Sequence, residues 1–400
     1  MIGFLHRQVW QRLPYGLRRA ALFRATALAA PRLARGAPPT PPPIVVGALR
    51  TASGLGQSAR LCLGALRAAG VPSAAFDITE ALRQTAALPL PAADAAPPPG
   101  QGTLILHVNA PLMGLALLAL GRRRVAGRRV IGYWAWELPQ VPAEWRLGVK
   151  LVHEIWVPSR FTAEAIAPIA GGRPVHVVPH PVALSPVPPR APRAPGAPFT
   201  VLCVLDAASS LSRKNPEGTI AAFRQAFGED PGARLIVKTQ RLATLPEEAA
   251  RLRALAAAPN IELRDVTLDE AGMEALYAEA DVLLSLHRAE GFGLTIAEAM
   301  RRGVPAVATQ WSGTADFLTE AIGVPVPSHL VPAEDPQRTY HHPQMRWAEP
   351  DLDAAAQALR RLRDDAVLRG RLGAAAAAYA ATHWDAGSYV ALLRRLGMPA

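Results

Sequence analysis

Apolar positions in this chain fall into short continuous runs, separated by longer stretches in which they recur every three or four residues. After a proline-rich stretch at 38–43, the runs at 44–49, 73–78, 103–108, 129–134, 154–158 and 175–178 predict strands. The helically spaced stretches 57–69, 112–124, 143–151 and 162–169 lie between them. Such alternation is the signature of a parallel sheet covered by helices on both faces. Residues 185–198 are rich in proline, have no long apolar run, and predict a linker. A second alternation follows, with strands at 199–205, 234–238, 261–266, 281–286 and 304–308. Its helices are expected at 216–227, 247–257, 273–279 and 294–302, with a last long Ala/Arg-rich helix from about 353. The pattern therefore predicts two α/β units of comparable size, at 44–184 and 199–383.

Composition agrees with two domains: 400 residues exceed one ordinary domain, and 50% are hydrophobic. No apolar run approaches the roughly 20 residues needed to cross a bilayer. Arginines interrupt every apolar stretch near the start, which excludes a secretory signal. Cys62 and Cys203 lie in different halves without metal or redox spacing, which suits a reducing cytoplasm.

The net charge of +11 changes the picture because of where it lies. Residues 1–76 hold ten arginines and no acid, which leaves 33 basic against 32 acidic residues in the remainder. Residues 1–43 thus form a basic, proline-ended leader. Arginines interleaved with Phe4, Leu5, Val9, Trp10, Leu13, Tyr15 and Leu17 suit an anionic membrane surface through residues 1–35. A solvated leader explains the same composition. No nucleic-acid recognition motif accompanies the charge, so nucleic acid is not expected as a partner.

The chemistry concentrates in residues 285–300. A strand runs into a glycine-containing turn that opens a helix; Glu290 lies in the turn and Glu298 in the helix. Free N–H groups at a helix start form a phosphate seat. Two carboxylates beside such a seat suit a phosphate attached to hydroxyl-rich groups, as in a nucleotide-sugar. A lone Glu near a helix start would merely complement the dipole.

This segment resembles the paired-glutamate motif of the retaining glycosyltransferases of the glycogen-synthase-like group, family 4. It has the same seven-residue separation, the same Glu290 to Leu294 run and the same downstream run at 303–309. The resemblance covers most of 44–396, strongest from Lys214 to Asp316 and again from Tyr340 to Asp351. It implies the GT-B fold: two Rossmann-like domains with parallel sheets facing across a cleft, and a C-terminal helix (384–400) crossing back onto the first. It implies transfer of a hexose from a nucleoside diphosphate sugar to a glycan or lipid-linked saccharide, as in surface polysaccharide synthesis. No cofactor or metal is required by that chemistry, and the enzyme is expected to be cytoplasmic, peripheral to the inner membrane face. UDP and GDP donors are both compatible.

The resemblance also assigns roles. Lys214 matches a family lysine that neutralises the departing diphosphate; the family's upstream arginine is missing, and Arg213 or Lys238 could replace it. Glu290 orients the donor sugar, Gly291, Phe292, Gly293 and Leu294 offer backbone donors, and Glu298 takes the ribose hydroxyls. Gly54 and Gly56 match a glycine turn that approaches phosphates or acceptor. Read alone, this turn is also a dinucleotide fingerprint with Asp77 as the ribose acid, hence an NAD-dependent oxidoreductase. That reading leaves Glu290, Glu298 and Lys214 unexplained. The family often has His-x-His at 107–109; here His107 is followed by Asn109, which hydrogen-bonds but carries no charge. Trp134, Trp136 and Glu137 are candidate acceptor contacts, with aromatic core packing the alternative for the indoles. His180 reads as structural, and Asp351 as a helix cap rather than part of a metal-binding Asp-x-Asp. An epimerase, a glucan phosphorylase or an inactive GT-B nucleotide-sugar-binding scaffold would share the frame.

Overall fold

In a computed structural model of the chain, residues 15–187, 194–340 and 344–400 are described. The first alternation forms strands β1 (Pro43–Gly47), β2 (Ala74–Asp77), β3 (Thr103–His107), β4 (Val130–Tyr133), β5 (Glu154–Val157) and β6 (Val175–Val177). They make one parallel sheet in the order β2-β1-β3-β4-β5-β6. The central strands are buried along their whole length, which is why their sequences are continuously apolar rather than alternating.

The second alternation forms β7 (Phe199–Val204), β8 (Ala233–Thr239), β9 (Ile261–Asp265), β10 (Val282–Ser285), β11 (Ala306–Thr309) and β12 (Gly323–Val326). Their order, β12-β11-β10-β7-β8-β9, reverses between β7 and β10. The first sheet reverses between β1 and β3. Crevices at the carboxyl ends of strands flanking such reversals are where open α/β sheets bind ligands. The loops carrying Lys214 and Glu290 follow β7 and β10; those carrying Gly54 and Asn109 follow β1 and β3.

The chain departs from its predicted elements in three places. The last long helix is broken at Asp365, whose side chain caps a new helix, Ala366–His383, after Leu352–Asp364. A hairpin of β13 (Ser328–Pro332) and β14 (Arg346–Pro350) stands outside both sheets. Residues 15–29, expected to belong to a leader, form a helix (Tyr15–Ala29) packed on the first domain's helix Met113–Leu120. Gly114 permits that approach: a Cβ there would lie 2.6 Å from Ala27 N. Ala34 and Ala37 carbonyls continue the attachment by accepting from His153 and Arg129. Residues 1–14, most of the proposed membrane-binding stretch, and residues 188–193 of the proposed linker lie outside the described residues.

The terminal helix Ala386–Arg395 crosses back onto the first domain. Tyr389, Val390 and Leu393 share a core with Val45, Leu63 and Trp156. Ala183 N–H donates to Trp384 O at 2.9 Å, which ties the outgoing and returning passages together. Among the described residues no helix is long and apolar enough to cross a membrane.

Candidate active site

The loop after β7 is shaped by two non-glycine residues in left-handed backbone. Ser210 (φ 67°) caps the short helix Leu211–Lys214, and Asn215 (φ 52°) caps Pro216–Phe227. Asn215 also donates to Leu286 O at 2.9 Å, which fastens this loop to the end of β10. Arg213 and Lys214 are thereby held against the turn that carries Glu290. Lys214 Nζ pairs with Glu290 Oε1, and Arg213 Nη1 lies 3.4 Å from the same oxygen.

The backbone of Glu290 is pinned as well. Its N–H donates to Ser312 Oγ at 2.8 Å, and its carbonyl accepts from Gly313 N–H at 2.8 Å. Burial pushes its carboxyl upward, but Lys214 and Arg213 outweigh that and bring the pKa down to about 2. The buried Arg213 donates to Ser209 O and Ala289 O, and its guanidinium lies 5.4 Å from the Tyr340 ring centroid. It thus braces the loop as well as contributing charge.

The turn Gly291–Gly293 leads into the helix Leu294–Arg301. Gly293 is its N-cap at φ 96°, in the left-handed region, and a Cβ there would lie 2.7 Å from Thr314 Cγ2. The initial N–H groups of a helix have no intrahelical acceptor. Phe292 turns its ring into an aromatic cluster with His180, Phe317 and Trp384, so only its backbone is available for a ligand. Gly291 lies under the first domain, where a Cβ would meet Trp136 O at 3.2 Å.

Glu298 stands one turn into the helix and accepts from Tyr277 OH at 3.1 Å. Burial raises its carboxyl, although the nearby Arg302 opposes this. Lys238, at the end of β8, is buried; burial lowers its pKa, against the attraction of Asp206 and Glu298. Arg60, from the first domain, also faces Glu298. Burial lowers the Arg60 pKa to about 10, and the Glu298 charge is the largest effect opposing that. Arg60 was missing from the sequence reading; its one local signal was its place on the helix opened by the glycine turn.

That turn has a packing role. Ser53 caps the helix Gly54–Ala68, and Arg60 Nη1 donates to Leu49 O and Thr51 O at 2.9 and 2.6 Å. A Cβ on Gly56 would lie 2.4 Å from Thr51 Oγ1, so Gly56 serves the turn's own packing, while Gly54 has open space around it. Gln240 Nε2 reaches across from the second domain to Ala52 O at 2.7 Å. Asp77 accepts from Leu49 N–H and from Thr79, so its carboxylate is engaged in closing the turn.

The first-domain candidates separate into core and cleft. His107 is buried, stacked on Tyr133 at 4.6 Å with Nδ1 2.7 Å from Ser58 Oγ; burial lowers its pKa to about 3. Trp134 is fully buried against Trp145. Both are core residues, contrary to the expectation that they contact an acceptor. His180 is likewise buried beside Tyr133, as expected. Asn109 Oδ1 accepts from Ala135 N–H at 2.8 Å, joining the loops after β3 and β4. Trp136 borders the cleft, and Glu137 accepts from Tyr340 OH at 2.8 Å. Asp351 caps the helix Leu352–Asp364 by accepting from Ala354 N–H at 3.0 Å, as its position predicted.

Tyr340 belongs to the loop between β13 and β14. Asp335 organises that loop, accepting from Ser210 Oγ and from Thr339 and Tyr340 N–H. The arm therefore grows from the Lys214 loop and inserts Tyr340 between Arg213 and Glu137.

Comparison with solved structures places this architecture. Sucrose-phosphate synthase from Thermosynechococcus elongatus superposes with a TM-score of 0.62 at 15% identity, covering 89% of this chain and 98% of that one. HepE from Anabaena, determined with UDP and glucose, gives 0.59 at 14% identity, covering 88% and 98%. TarM from S. aureus gives 0.56 at 11% identity over 74% of this chain, which spans only 55% of TarM. No curated protein matches the chain in sequence. The fold is GT-B. Residues 157–382, more than half the chain and including both glutamates and Lys214, match the family described as family 4 glycosyltransferase in conflict systems. The chain belongs to that family.

Proposed function

We propose that the protein transfers a hexose from a nucleoside diphosphate sugar to a saccharide acceptor, with retention of anomeric configuration. The observation that carries this reading is the triad of Glu290 with Lys214 and Arg213, placed beside the helix start at Leu294. The diphosphate lies on the backbone donors of Gly291 to Leu294, with Lys214 and Arg213 neutralising the charge that develops as it leaves. Glu290, ionised at every working pH, accepts from hydroxyls of the transferred sugar. Glu298 accepts from the ribose, with Lys238 and Arg60 beside it.

The anomeric C–O bond to the diphosphate breaks, and a bond to the acceptor oxygen forms on the same face. A phosphate oxygen of the leaving group takes the acceptor proton. Binding both reactants in one cleft and stabilising the departing charge are the larger catalytic terms for such chemistry. The HepE and TarM structures were solved with UDP, which favours a UDP donor here. Two buried, unpaired cysteines suit a cytoplasmic setting, and an acceptor for surface polysaccharide fits the basic residues near the start.

Thermal stabilisation by UDP, GDP and their sugars tests the donor, since ligand binding to the folded state raises the melting temperature. Anomeric proton couplings of the product test retention. An inverted product would remove the retaining mechanism. Nucleotide-sugar binding without turnover on any acceptor would leave only a scaffold.

A further inference from the structure

Beside the reaction centre, the first domain and the hairpin arm enclose a cavity of about 590 Å³ that the donor reading does not use. One wall is the N-terminal helix, through Arg18, Leu22 and Phe23. The facing wall is Leu112 with the indoles of Trp136 and Trp145, which meet edge-on at 5.1 Å. Thr339 of the arm closes one end. That end adjoins the site: Trp136 lies 5.3 Å from the ring of Tyr340, whose other neighbour is the Arg213 guanidinium.

Charge in this cavity is unequally satisfied. Arg19 is paired with Glu144 at 2.7 Å. Arg18 makes no ion pair or hydrogen bond among the described residues, and its Nε is buried without a partner. A buried N–H donor without an acceptor is unfavourable, and a guanidinium is suited to phosphate or carboxylate. Leucine and phenylalanine beside it would contact the hydroxyls of a bare oligosaccharide poorly, because those hydroxyls would lose water without gaining partners.

We propose that this cavity binds the body of the acceptor, and that this body is apolar and carries an anionic group held by Arg18. Calling the occupant an acceptor rests on the glycosyl-transfer reading; the binding itself does not. Two sources share the chemistry, a lipid chain bearing phosphate and an aromatic compound bearing it.

The test titrates the full-length protein with decyl phosphate, 1-naphthyl phosphate and inorganic phosphate, following tryptophan fluorescence, since two indoles line the cavity. Arg18→Gln and Leu22→Glu are compared with Leu28→Glu, which alters an exposed position on the same helix outside the cavity. The expected result is binding of at least one organic phosphate, weakened tenfold or more in both cavity variants and unchanged in the control. Preference for the chain identifies a lipid; preference for the ring identifies an aromatic. Absence of binding by either organic phosphate overturns the proposal. Equal affinity in wild type and both cavity variants, or inorganic phosphate binding as tightly as either, overturns it as well. UDP stabilisation, measured on the same samples, separates the two readings. Stabilisation without organic-phosphate binding rejects the cavity proposal alone, and the reverse rejects the donor reading alone.

Discussion

Tyr340 donates its hydroxyl to Glu137 at 2.8 Å, joining an arm of the second domain to the strand-end loop of the first. The same ring lies against Arg213, which lies 3.4 Å from Glu290. The interdomain bond and the proposed donor site are therefore two contacts apart. Loss of a hydrogen bond to a charged group costs about 1.5–3 kcal/mol. Tyr340→Phe should keep its fold and lose about tenfold or more in turnover, measured as kcat with saturating donor. Wild-type kcat in a folded variant would mean the contact has no part in the reaction.

Lys214 and Arg213 should respond differently to removal. Lys214→Ala deletes a cation whose partner is the Glu290 carboxylate, and kcat should fall by about 100-fold with little change in melting temperature. Arg213→Ala strips donors from Ser209 O and Ala289 O and leaves a void beneath Tyr340. It should unfold several degrees earlier, each unmet buried acceptor costing about 1–3 kcal/mol. Calorimetry on both variants checks this, and equal melting temperatures would contradict the bracing role of Arg213.

The two glutamates should set opposite pH behaviour. The Glu290 pKa is lowered to about 2 in the fold, from an ordinary 4.5. Its stabilisation is complete above 4.5 and lost as pH falls toward 2, outside any working range. The Glu298 pKa is raised by burial, so its proton is retained above 4.5. Only its ionised form accepts from two ribose hydroxyls, so donor affinity should weaken as pH falls through that raised value. Calorimetric titration of UDP across pH should show this acid limb in wild type and not in Glu298→Gln. An unaltered limb in the variant would assign it to another group.

Gly293→Ala places a side chain at φ 96° and 2.7 Å from Thr314 Cγ2. Left-handed backbone costs a non-glycine residue roughly 1–2 kcal/mol, and the contact adds to it. The variant should melt at lower temperature and bind UDP more weakly, because the turn before Leu294 must shift. Retained affinity would show that the turn does not bear the diphosphate.

Gly114→Val should undock the N-terminal helix, since a Cβ would lie 2.6 Å from the backbone at Ala27. Limited proteolysis should then cleave within residues 15–40 while the remainder stays folded. Resistance equal to wild type would mean that the two helices part without loss.

Local pattern was sufficient for much of this protein. Runs of buried apolar residues mark strands wherever a sheet is covered on both faces, so all twelve strands of the two parallel sheets were legible apart from β12. That strand, Gly-Val-Pro-Val, is too short and too interrupted to stand out. The spacing of Glu290 and Glu298 was legible because strand, turn and helix lie within one continuous segment. Tertiary structure decided what depends on residues far apart in the chain. His107 and Trp134 carry polar atoms at strand ends, yet helix packing and neighbouring aromatic rings close over them. Arg60 and Lys238 reach Glu298 from two different sheets, and Tyr340 reaches Arg213 from a hairpin over a hundred residues later. The basic helix 15–29 looked detachable because its charge is a property of composition. Its docking depends on Gly114 offering a bare backbone, a fit that no stretch of sequence contains by itself.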